Sequence, residues 1–218
     1  ERISHVVVDA LAELHQINYK EAGLADFGYP QGFLERQVNG WIKRYDRSKT
    51  DDIPVVDRIA KWLVEHIPTP HEATVIHNDY KLNNMLFSSD LNQIEAILDW
   101  EMATIADPLF DLAGALGYWV VEGDSDLLMD AGISTLTANP GFISRDEFIE
   151  RYTQKTGRDI PSFHFYMTFV YFKLAVVLQQ IYYRWKTGQT KDERFSSLNN
   201  NIRNLMNYAF QVSETGKY

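Results

Sequence analysis

Apolar positions recur at helical spacing along most of the chain. Near the start, Val7, Ala10, Leu11, Leu14 and Ile17 line one face of a predicted helix. Phe33, Leu34, Val38, Trp41, Ile42 and Tyr45 predict a second. Ile59, Trp62, Leu63 and Ile67 predict a third, ended by the "PTP" that follows. Between the first two, "YKEAGLADFGYPQG" carries Gly23, Gly28, Pro30 and Gly32 and reads as a loop. Helical spacing resumes over about 109–121. "SRDE" at 144–147 is a capping box that opens a further helix, which Gly157 ends. A long apolar helix covers 163–185, with Pro161 expected in its first turn, and a last helix is expected over about 192–212. Three short runs read instead as strands: 74–77, 85–87 and 94–98. The pattern predicts a mainly α (α+β) domain with a small β-hairpin insert.

The run at 163–185 is the most apolar in the chain, but Lys173 interrupts its centre and Gln179 and Gln180 follow. A lysine at mid-bilayer costs roughly 3 kcal/mol. A buried core helix is therefore expected, not a membrane span. Trp41, Trp62, Trp119 and Trp185 share helical spacing with other apolar residues and read as core.

Composition narrows the partners. The 218 residues suffice for one large domain or two small ones, and 45% are hydrophobic, enough for a real core. The formal net charge is -9, which disfavours nucleic acid as a partner. There is no cysteine, so disulfides and thiolate metal sites are excluded, and a reducing, cytoplasmic setting is expected. The opening "ERISHVVVDALAELHQI" has no basic-then-apolar leader pattern, lacks a Met and reads like the middle of a helix. A piece of a longer protein is the expectation.

The chemistry gathers at "VIHNDYKLNNMLF", 75–87, where polar residues crowd between two apolar runs. The arrangement is His77-x-Asp79-x-Lys81-x-x-Asn84, with Asp99 following the third strand. If the second and third strands pair as a hairpin, Asn84 and Asp99 bring two oxygen donors toward one hard cation. Magnesium suits few protein oxygens, keeping its other positions for water and phosphate. Asp79 would stand one loop away, able to take a proton from a hydroxyl. Lys81 would offer positive charge to a moving phosphoryl group, although a solvated lysine explains it as well. A base, a cation and two metal ligands are the parts phosphoryl transfer needs. His77 reads as a hydrogen-bonded brace of the loop. Trp100 is expected to border a substrate pocket. Glu101 is either a further metal neighbour or an acid at a helix start. His5, His15, His66, His71 and His164 are scattered and expected to be structural or exposed.

The longer string "VIHNDYKLNNMLF…IEAILDWEMATIADPLFDLA" resembles the aminoglycoside phosphotransferase family of protein-kinase-like enzymes. That family reads H-G-D-x-x-x-x-N, then a strand ending in D, then G-D-P-x-x-D-L-A. "LADFGYPQGFLERQVNGWIKRY" is similar to the branch whose kinase-like domains are fused to acyl-CoA dehydrogenases. The resemblance implies a protein-kinase-like C-terminal lobe over 1–218, with 74–111 as its catalytic and metal-binding segment. It implies an N-terminal nucleotide-binding lobe that this chain does not contain. It assigns Asp79 as catalytic base, Lys81 beside the transferred phosphate, and Asn84 and Asp99 as ligands of Mg2+. It places Leu86 and Leu98 on the floor of the ATP pocket. It makes His77 a loop brace and Asp111 an acceptor of bonds from the loop backbone. The partner it implies is a small molecule bearing a hydroxyl. Departures are Asn78 and Ala106, where glycine is usual, and Asn83, where an acid is frequent. Asn tolerates a left-handed backbone better than most residues, so the turn at 78 can survive.

Two other classes remain open. One is a catalytically silent pseudokinase acting as a binding module. The other is a helical metal-dependent phosphohydrolase, which needs an adjacent His-Asp pair; here Asn78 separates His77 from Asp79.

Overall fold

Four short strands form two separate antiparallel pairs in the computed structural model, which describes residues 1–70 and 72–218. Strand β1 (Thr74–Ile76) pairs with β4 (Thr104–Ala106), Val75 facing Ile105. Strand β2 (Met85–Phe87) pairs with β3 (Ile94–Ile97), Met85 facing Ile97. The β2–β3 hairpin is the expected insert. The β1–β4 pair was not expected: no turn residues set Thr104–Ala106 apart as a separate apolar run. His71 lies outside the described residues.

Two units divide the chain, one of residues Glu1–Phe33, Thr69–Glu122 and Ser134–Phe163, the other of the remainder. The first holds all four strands. Its helix α1 (Arg2–His15) buries Val7, Val8, Leu11, Ala12 and Leu14. The predicted periodicity ran to Ile17, but the helix closes at His15 and Ile17 is exposed. Helix α6 (Arg145–Thr156) packs along α1. Its capping box forms as expected: Ser144 caps the Glu147 amide, and the Glu147 carboxylate accepts from the Ser144 amide at 2.8 Å. Gly157 closes it in the left-handed region at φ 70°. Arg151 grips Asp9 of α1 through two bonds of 2.7 and 2.8 Å, and Lys155 joins at 3.1 Å.

Helix α4 (Pro108–Gly117) starts where the Asp107 side chain accepts from the Leu109 amide and Pro108 fills the first helical position. It is buried nearly all round and stops at Gly117, short of the 121 its apolar pattern suggested. The extra apolar residues, Trp119 and Val120, are core residues of the segment that follows. The loop before α2 lies tight on β4. A Cβ on Gly28 would sit 2.3 Å from the Thr104 hydroxyl oxygen and 2.6 Å from the Ile105 amide nitrogen.

The second unit is helical. It contains most of α2 (Phe33–Ser48), with α3 (Val55–Glu65), the short α5 (Asp126–Met129), α7 (Phe163–Lys186) and α8 (Leu198–Thr215). The polar interruptions of α7 are answered inside this unit. The Lys173 ammonium lies 5.7 Å from the Trp41 ring centre, and Gln179 donates to the Ser48 carbonyl at 2.7 Å. Among the described residues no helix is long and apolar enough to cross a membrane. Trp41 and Trp119 are core as expected, whereas Trp62 and Trp185 are only half-buried. Two helix starts need correction. Pro161 precedes α7 rather than opening it, because Ser162 stands between them in the left-handed region at φ 54°. The last helix begins at Leu198, not 192. Asp192 caps a separate 3-10 turn at Glu193–Phe195 by accepting from the Arg194 amide.

Two outcomes follow from the packing of the first unit. Gly28→Ala forces β4 or the loop to move and lowers stability by about 1–3 kcal/mol in chemical denaturation. Asp9 is pushed upward by burial, but the bonds from Arg151 and Lys155 outweigh this and hold its pKa below the ordinary carboxylate value. A lowered folded pKa stabilises above the unfolded value and is lost as pH falls through the folded one. Stability should therefore fall in acid below about pH 4, and Asp9→Asn should flatten that part of the profile.

Candidate active site

The turn after β1 is shaped by one buried carboxylate. Asp111, in the first turn of α4, accepts from the His77 amide with Oδ2 and from the Asn78 amide with Oδ1, both at 2.7 Å. Asn78 sits at φ 68°, the left-handed region its residue type tolerates. Its side-chain amide donates to the Met102 carbonyl at 3.2 Å. Asp79 leaves this turn toward the surface.

His77 is fully buried and its ring spans the site. Nε2 lies 2.8 Å from the Leu98 carbonyl, which can only accept, so Nε2 carries the proton. Nδ1 lies 3.2 Å from the Asp79 amide and accepts from it. The imidazole thus ties the start of Asp79 to the end of β3. Trp100 packs edge-on against it, ring centres 4.7 Å apart.

Asp79, Lys81 and Asn84 converge. Asp79 Oδ2 accepts from Lys81 Nζ at 2.7 Å and from Asn84 Nδ2 at 3.0 Å. Asn84 Nδ2 also donates to the Asp79 carbonyl at 2.9 Å. With its amino group committed to Asp79, the Asn84 amide turns its oxygen elsewhere. Asn84 closes a 3-10 turn at Leu82–Asn84, and its own carbonyl accepts from the Leu98 amide at 2.8 Å. The β2–β3 register therefore continues one step, and Asp99 follows directly, left-handed at φ 65° and exposed. Asn84 and Asp99 flank the same end of the hairpin. Among the described residues no three His, Cys, Asp or Glu side chains gather as a metal cluster. Asn84 is buried and Asp99 exposed, and two such oxygen donors, with water and phosphate supplying the rest, are the kind of set a magnesium ion accepts.

Leu86 and Leu98 are both about half exposed. Leu86 faces Ala96 across the hairpin, and the two-residue repeat brings Leu98 to the same side. Glu101 is exposed, in the first turn of a 3-10 helix at Trp100–Met102.

Tyr118 escaped the sequence reading. Its ring stands beneath Lys81 Nζ, 5.3 Å from the ring centre. Burial, and next the Asp79 carboxylate, push its phenol up to about 12, so it stays protonated. Lys81, Asn83, Tyr118, Trp119, Leu136 and Thr137 are among the residues lining a crevice beside the Asp79–Lys81 pair. Trp100 and Glu101 are not among them. Tyr118 follows a buried helix, and nothing local in the sequence marks it as a neighbour of residue 81.

Several known proteins resemble this chain. The model of the phosphotransferase enzyme family matches residues 5–164. Acyl-CoA dehydrogenase family member 11 of Pongo abelii is 30% identical over 211 residues, covering 95% of this chain and 27% of that protein. The chain thus spans about a quarter of that relative. A solved Ralstonia eutropha protein assigned as an aminoglycoside phosphotransferase superposes with a TM-score of 0.84 at 28% identity, over 98% of this chain and 65% of that one. An ethanolamine kinase of Plasmodium vivax shares the fold, with a TM-score of 0.59 at 12% identity, covering 96% of this chain and 60% of that one.

The geometry separates two kinds of residue. Asp111→Ala strands buried amide donors and lowers stability by about 3 kcal/mol or more. Lys81→Ala removes a partly exposed ion pair and changes stability by no more than about 1 kcal/mol. Urea titrations of the two variants check both values.

Proposed function

The chain belongs to the phosphotransferase enzyme family, and on that premise we propose that it is the C-terminal lobe of a small-molecule kinase. The lobe covers residues 1–218, with 74–111 as its catalytic and metal-binding segment. The reaction is transfer of the γ-phosphate of ATP to a substrate hydroxyl. The observation that carries this reading is the convergence of Lys81 and Asn84 on one carboxylate oxygen of Asp79.

Each residue has a task. Asp79 Oδ2 is held by Lys81 and Asn84, which leaves Oδ1 to accept the proton of the attacking hydroxyl. Lys81 keeps positive charge beside the point of transfer. Asn84 and Asp99 hold Mg2+, which when bound supplies charge neutralisation to the phosphates. Leu86 and Leu98 offer an apolar floor to the nucleotide base. His77 keeps the Asp79 amide and the hairpin end in register. The remaining nucleotide contacts would come from a further lobe of the same protein; this chain covers 65% of the solved Ralstonia eutropha protein.

The acceptor enters by the crevice beside Lys81. Among the described residues that line it none is a carboxylate, Asp79 stands beside it through Lys81, and Tyr118, Trp119 and Leu136 give it apolar walls. A molecule carrying both a hydroxyl and an apolar portion suits such walls.

The test is phosphate transfer from ATP to a panel of hydroxylated metabolites by the full-length protein. Asp79→Asn should lower kcat by roughly 10²–10⁴-fold. Equal turnover by both proteins overturns the assignment of Asp79. Nucleotide binding without turnover by either would favour the silent binding-module alternative.

A further inference from the structure

Asp111 has a third partner that neither the family resemblance nor the reaction uses. His15, the last residue of α1, is buried with Nε2 3.2 Å from Asp111 Oδ2. Its other nitrogen, Nδ1, lies 2.7 Å from the hydroxyl of Tyr152 on α6. Tyr152 is fully buried, and burial pushes its phenol upward, so the hydroxyl keeps its proton. An ionised Asp111 only accepts, so Nε2 must donate to it. The ring orientation that allows this is set by the Tyr152 bond and by edge-on packing of the two rings, 5.7 Å apart. The same carboxylate grips the His77 and Asn78 amides.

We propose that His15 and Tyr152 are positioning residues for Asp79, acting through Asp111. A carboxylate held on one side by His15 presents fixed lone pairs to the two amides. Those amides fix the left-handed φ of Asn78, and with it the direction in which Asp79 leaves the turn. A carboxylate free to rotate would let the turn relax, because a left-handed Asn is costly unless held. Tyr152 is held in turn by its helix, which Arg151 clamps to α1 through Asp9. The aim of the candidate base thus depends on residues 64 and 73 positions away from it, on two helices outside the loop.

The catalytic part of this inference rests on the kinase reading; the structural part does not. The experiment uses the full-length protein with Tyr152→Phe, His15→Leu and His15→Gln. Glutamine places an N–H near the position of Nε2, so it keeps a donor to Asp111. Two readouts are taken: hydrogen exchange of the His77 and Asn78 amides, and kcat and KM for phosphate transfer.

Loss of one hydrogen bond of about 1.4 kcal/mol corresponds to about tenfold. Tyr152→Phe should therefore speed exchange of the two amides about tenfold and lower kcat by a similar factor, with KM unchanged. His15→Leu should do more, and His15→Gln should recover most of the loss. Amides of α7 and α8 should not change. Unchanged exchange at His77 and Asn78 in both Tyr152→Phe and His15→Leu overturns the proposal. So does loss of protection spread over the whole chain, or a glutamine variant no better than leucine. If the wild type transfers no phosphate, the kinase reading fails while the exchange data still decide this one.

Discussion

A single buried carboxylate organises the functional part of this protein. Asp111 takes the two backbone amides that open the loop, and without it the buried His77 amide and the part-buried Asn78 amide would lose their partner. Orphaned buried amides cost roughly 1–3 kcal/mol each, which is a large share of a domain's stability. The Asp111 bonds therefore decide where the chain can turn after β1. Everything that gives the loop chemical character follows from that turn: the direction of Asp79, the reach of Lys81, and the 3-10 turn that delivers Asn84.

A second constraint acts from the hairpin. Pairing of β2 with β3 continues through the Leu98 amide to the Asn84 carbonyl, and His77 bonds the Leu98 carbonyl from the other side. Leu98 is thus held at both its polar groups by residues of the loop. Asp99, the next residue, inherits its position from these two bonds. The proposed base and the proposed metal ligands are accordingly parts of one hydrogen-bonded unit. Magnesium favours such preset oxygens because it tolerates little distortion of its octahedral shell.

Much of this was legible in the sequence. The hairpin strands appear within one residue of their predicted bounds, since short apolar runs between turn residues carry a local signal. The capping box at Ser144 and the stop at Gly157 were readable because both act within a few residues. The motif spacing placed Asn84 and Asp99 at one hairpin end, where the structure has them. The left-handed turn at Asn78 was also foreseeable from its residue type. What escaped depends on distance along the chain. Tyr118 lies 37 positions after Lys81, and Tyr152 lies 137 after His15. Neither pair leaves a periodicity or a turn signature. Of the β1–β4 pair only β1 was readable, because β4 follows the 3-10 turn at Trp100–Met102 almost directly and no turn residues set Thr104–Ala106 apart as a separate apolar run. The start of α7 at Phe163 was readable, but Pro161 was wrongly placed in its first turn and α8 was started too early, because Ser162 and Asp192 make local turns that compete with helix initiation.

On the proposed reading the hairpin end and the loop form one magnesium–nucleotide site beside Asp79. Paramagnetic broadening by Mn2+, standing in for Mg2+, tests it most directly in the full-length protein with ATP present. NMR signal loss should centre on Asn84 and Asp99, reach Asp79 and be absent in an Asp99→Ala variant. Broadening centred elsewhere, or unchanged in that variant, would contradict it.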